Sequence, residues 1–69
     1  MKHVTLTVEL TDAEAWELAQ FIKRVRFDQC FELTESWRSR TEREEQAYRM
    51  LHALDQVAGV LTTVGYAPR

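Results

Sequence analysis

Only two glycines, one proline and one cysteine occur among the 69 residues of this chain. The lone cysteine, Cys30, rules out an internal disulfide, and with two histidines it gives no zinc-ligand spacing. Gly59 and Gly65 are too few for a glycine-rich phosphate loop. No apolar run approaches the roughly 18 residues of a membrane span, and the first residues lack the apolar core of a signal peptide. A formal net charge of -2 supplies no global field to attract nucleic acid or an anionic membrane. Together these absences lead us to expect a cytoplasmic protein with a reduced thiol.

What is present is a high apolar content, 45% of residues, in a single domain spanning 1-69. Chains of this size bury only about 60% of the surface that the unfolded form exposes, so the core is marginal. With neither disulfide nor metal to reinforce it, self-association as a homodimer is the expected support.

Two segments have a helical pattern and one has a strand pattern. Val4, Leu6, Val8 and Leu10 alternate with Thr5, Thr7 and Glu9, the period of a half-buried strand. A single strand leaves its backbone groups unpaired. Cys30 to Thr34 is a weakly patterned internal partner, so pairing with the same strand of a second copy is preferred. Thr11 and Glu14 form a capping box that starts a first helix running to about Arg26, with Ala15, Leu18, Ala19, Phe21, Ile22 and Val25 on its core face. A helical turn capped by Asp28 is expected near Asp28 to Leu33, followed by an exposed connection from Glu35 to Arg40.

Thr41 and Glu44 form a second capping box, predicting a long helix from Glu42 to Val64. Its stripe is Ala47, Leu51, Leu54, Ala58 and Leu61, widened by Met50, Val57 and Val64. Gly65 closes it and Pro68 prevents its continuation. The fold class these signals predict is α+β: one N-terminal strand followed by two main α-helices, the strand paired across a homodimer. Tyr66 is expected to fold the short tail back.

Candidate functional residues follow from what the core does not use. Trp16, Gln20, Lys23 and Phe27 fall opposite the core face of the first helix, a line of two aromatics with polar residues between them. Aromatic anchors are common at interfaces, and structural cover of Trp16 is the competing account. Arg38, Arg40 and Arg43 cluster before the last helix. These seven residues are the candidate partner-binding set. Catalysis has little to work with: His52 beside Asp55 reads as an ordinary surface pair, and Cys30 as a buried structural thiol. No enzyme activity, cofactor or metal is therefore expected.

Strand, helix, helix in a dimer resembles the ribbon-helix-helix repressors in its order of elements, which gives an alternative function as a dimeric DNA-binding transcriptional regulator. The outward set would be Thr5, Thr7 and Glu9, though Glu9 suits phosphates poorly and the connection between helices is longer than that family's tight turn.

The segments Glu14-Ala15-Trp16-Glu17-Leu18-Ala19-Gln20-Phe21-Ile22-Lys23-Arg24-Val25 and Gln46-Ala47-Tyr48-Arg49-Met50, with the ending Gly65-Tyr66-Ala67-Pro68-Arg69, resemble small uncharacterised proteins of proteobacterial phages and mobile elements. That resemblance implies a mobile-element accessory protein, and the function expected of the chain as a whole is a non-enzymatic module that binds another protein. By class-level analogy it could be an anti-CRISPR inhibitor occupying a surface of a Cas effector subunit or complex.

Overall fold

The computed structural model describes residues 2–67, so the Pro68 stop expected above lies outside the described residues. Three helices follow one another: α1 (Asp12–Arg24), α2 (Phe27–Glu32) and α3 (Arg40–Thr63). At 24 residues α3 is about 36 Å long. It is the spine on which both α1 and α2 pack.

The α+β expectation is corrected to a helical fold, because no strand occurs among the described residues. Residues 2–10 form neither helix nor strand, and Val4, Leu6 and Val8 are exposed instead of half-buried. The physical reason is the pairing requirement itself: alternation of side chains makes a strand only where a ladder supplies backbone partners. The internal partner that was considered, Cys30 to Thr34, is the end of α2 and its cap. Without a strand there is no ladder to share between two copies, and strand-paired dimerisation is withdrawn with it.

The first helix starts where its capping box predicts. Thr11 N–H donates to Glu14 Oε1 at 2.8 Å and Glu14 N–H donates to Thr11 Oγ1 at 3.1 Å. It ends at Arg24, two residues early, with Val25 in an extended conformation as C-cap. The following turn is α2, where the cap expected from Asp28 is replaced. Gln29 Oε1 reaches back to accept from Arg26 N–H at 2.8 Å, which places Asp28 in the first turn.

The start of α3 is also shifted, by two residues. Ser39 and Glu42 have the same spacing as Thr41 and Glu44, and it is the earlier pair that closes. Glu42 N–H donates to Ser39 Oγ at 3.2 Å, while Ser39 Oγ and N–H donate to Glu42 Oε1 at 3.0 and 3.4 Å. Glu44 accepts from Arg40 Nε at 3.0 Å instead. At the other end Gly65 has φ 102°, a conformation that costs any residue with a Cβ. Tyr66 N–H then donates to Leu61 O at 2.8 Å, and Gly65 N–H to Thr62 O at 3.1 Å.

Two small packed regions hold the helices. Near the C-terminal half of α3, Ala15, Ala19 and Ile22 pack with Leu61, flanked by Leu18, Leu54, Ala58 and Tyr66. Under α2, Cys30 and Ala47 are buried, as the sequence led us to expect for the thiol. Buried Ala15, Ala19 and Ala47 let the helices approach closely, which limits the volume any core side chain can fill. Ile22 and Leu61 are the large aliphatic side chains that become buried. Phe21, expected on the core face, is 57% exposed, and Val57 and Val64 of the widened stripe also remain exposed.

Candidate functional site

The seven candidate partner-binding residues do not form one surface. At the N-terminal end of α1, Trp16 is half-buried against the tail. Its ring meets that of Tyr66 edge-on with centroids 5.0 Å apart, and the Tyr66 hydroxyl donates to Asp12 Oδ1 at 2.6 Å. That bond, with Asp12 as an anion beside it, pushes the Tyr66 hydroxyl above its ordinary pKa. The tail therefore does fold back, and it covers Trp16.

Phe27 is used in a similar way. It packs on Tyr48 of α3 with centroids 4.8 Å apart and lies 6.1 Å from Phe31. Gln20 is half-buried, and Lys23 is exposed in the last turn of α1, where the negative end of the helix dipole favours it.

The arginines are occupied by neighbours. Arg43 donates from Nε to Thr34 Oγ1 at 2.8 Å and from its terminal nitrogen to Phe31 O at 3.2 Å, with its guanidinium 4.3 Å from the Phe31 ring centroid. Thr34, itself buried, donates to the same carbonyl at 2.6 Å. Arg43 thus closes the end of α2 onto α3. Arg38 bridges Glu42 at 3.0 Å and Glu35 at 3.4 Å, and the Glu42 bond raises its pKa further. Arg40 pairs with Glu44 at 3.0 Å. Glu42 in turn is held below the usual carboxylate range by the Ser39 hydroxyl, then by Arg38 and the Ser39 N–H.

Two apolar surfaces, which the helical spacing did not mark as functional, are open. The first is a concavity of about 480 Å³ between α1 and the end of α2, where Phe21, Val25 and Leu33 are bordered by Glu17, Gln20, Arg24 and Gln29. Leu33 is 79% exposed there. The second is a groove of about 760 Å³ between residues 4–10 and the C-terminal half of α3, with Val57, Val60 and Val64 along one side. Of the seven candidates, Gln20 alone lines either surface. The sequence carried one general signal for such surfaces, an apolar content of 45% in a chain whose core is marginal.

A family of unknown function, DUF7706, matches residues 1–69. The chain belongs to that family. No curated protein and no solved structure matches it. Membership covers the N-terminal arm (residues 2–10), all three helices and the tail together. Among the described residues no helix is long and apolar enough to cross a membrane.

Proposed function

We propose that this member of DUF7706 is a non-catalytic module that binds another protein through the concavity between α1 and α2. The observation that carries the reading is the exposure of Phe21 and Leu33 side by side with Val25 inside a polar and charged border. An apolar centre with a polar rim is the anatomy of a protein interface, and aromatic side chains at such centres carry much of the binding energy. Gln20 and Arg24 give the rim donors on one side, and Glu17 gives an acceptor.

The test compares proteins retained by the wild type with those retained by Phe21→Ala/Leu33→Asp in the native host. Both positions are exposed, so the variant keeps its helical content by circular dichroism. Loss of the specific partners supports the reading. Identical retention by the folded variant sinks it.

The narrower version names the partner as a Cas protein or complex. Its support is the resemblance to accessory proteins of phages and mobile elements and the acidic balance of the chain. A plasmid-interference assay across CRISPR subtypes tests it, and undiminished immunity in every subtype removes it. The alternative, a DNA-binding regulator, has less support. Its reading element was a paired strand, and Arg38, Arg40 and Arg43 are engaged within the chain.

A further inference from the structure

The surface area of this chain exceeds that of a compact monomer of its mass. A folded monomer of 8.1 kDa exposes about 4,500 Å² by the scaling of surface with mass. This chain exposes 5984 Å². The surplus, about 1,500 Å², exceeds the 800 Å² or so that each partner buries in a standard interface.

The surplus is also concentrated. Of the eleven large apolar side chains exposed among the described residues, seven line the single groove between residues 4–10 and α3. Val57, Val60 and Val64 recur at three and four residues, so they form one row about 10 Å long on α3. Facing them, Leu6 is 79% and Val4 80% exposed. No helix or ladder fixes residues 2–10, so covering their side chains requires a surface from outside the chain.

We propose that a second copy of this chain covers the groove, the two grooves meeting face to face about a two-fold axis. In that arrangement the arm of each copy lies on the valine row of the other, through side chains and with no shared ladder. Charge favours a second copy. Like charges would meet wherever a charged residue lies near the axis of a two-fold contact, yet the groove lining holds no Asp, Glu, Lys or Arg. Thr5 and Gln56 are its uncharged polar members and can stay hydrated at the edge. A closed two-fold contact uses the same patch on both copies, so one apolar groove with arm and row side by side is sufficient. The same burial supplies the apolar core that the three helices leave small. This interface is separate from the concavity around Phe21 and Leu33 and stands independently of it.

Light scattering after size exclusion, with thermal melts over a range of concentrations, tests the proposal. Wild type is expected at twice 8.1 kDa when loaded at about 100 µM, with a Tm that rises with concentration. Leu6→Glu and Val60→Glu each place a charge in the buried groove and should weaken association about 100-fold or more, giving the mass of one copy. Trp37→Ser, at an exposed position outside the groove lining, should leave the two-copy mass unchanged. Leu6→Glu decides the matter, because residue 6 belongs to no helix whose folding the charge could disturb. A wild type of one-copy mass at that concentration overturns the proposal and leaves the groove to a different partner. Retention of the two-copy mass by Leu6→Glu overturns it as well, whatever Val60→Glu does.

Discussion

Tyr66 reaches back across 54 residues to donate its hydroxyl to Asp12, so the tail is tied to the first turn of α1. Its ring covers Trp16 at the same time. Tyr66→Phe removes the hydrogen bond and keeps the ring, so Tm should fall slightly while Trp16 emission, read in a Trp37→Phe background, stays close to wild type. Tyr66→Ala exposes the indole and should shift that emission to the red. The pH dependence follows from the raised pKa of Tyr66. The clasp contributes stability below the ordinary tyrosine value of 10.0 and loses it as pH rises through the raised folded value. Thermal melts in which wild type loses no more stability than Tyr66→Phe as pH rises past tyrosine ionisation would sink this account.

Ser39, and not Thr41, should be the residue whose hydroxyl matters to α3. Ser39→Ala is expected to cost about 1 kcal/mol in urea unfolding, the usual value of an N-cap. Thr41→Ala, inside the helix, should stay within about 0.5 kcal/mol of wild type. The carboxylates of the two capping boxes add an acid limb. Glu14 is held low by the Thr11 N–H and then its hydroxyl, and Glu42 by the Ser39 hydroxyl and then Arg38. A lowered folded pKa stabilises above the ordinary 4.5 and is lost as pH falls through the folded value. Melts between pH 7 and pH 3 should therefore show stability declining below about 4.5, less steeply in Glu42→Gln.

Arg43→Lys should behave as a loss, despite keeping the charge. A lysine ammonium cannot span Thr34 Oγ1 and Phe31 O while lying flat on the Phe31 ring. Hydrogen bonds from charged groups contribute about 1.5–3 kcal/mol, so a comparable fall in unfolding free energy is expected. A Lys variant as stable as wild type would mean that the α2 end is held by packing alone.

Ala47 is fully buried, at 0% exposure, and Ile22 nearly so. Ala47→Leu forces side-chain volume between α2 and α3 and should cost about 1–3 kcal/mol. Ile22→Ala empties the contact between α1 and α3 and should cost about 2 kcal/mol or more. In a domain this small either loss is a large share of the total, and urea titration reads it directly. An Ala47→Leu protein with wild-type stability would show that the helices are not in close contact there.

Local chemistry was legible where it involved residues close in sequence. The Thr11–Glu14 box, the Gly65 stop, the apolar row from Ala47 to Leu61 and the buried Cys30 were all readable from spacing. Spacing could not choose between Ser39–Glu42 and Thr41–Glu44, since both have the same form. That choice fell to neighbours: Arg38 pairs with Glu42, whereas Arg40 takes Glu44.

The strand was misread because alternation at Val4, Leu6, Val8 and Leu10 reports a preference of side chains, while a strand also needs backbone partners from elsewhere. Trp16 and Phe27 were placed opposite the core face, with cover of Trp16 weighed against a binding role, because a helical wheel knows only its own helix and cannot name what covers it. Tyr66 and Tyr48, from the far end of the chain and from α3, cover them. Phe21 came out the opposite way, left open in the concavity where the end of α2 borders α1 without covering it. The sequence by itself determined that α1 starts after Thr11, that α3 stops at Gly65 and that the chain holds more apolar bulk than a small core accommodates. Only the tertiary structure decided which apolar side chains are left out, since burial depends on what the other helices bring to each face.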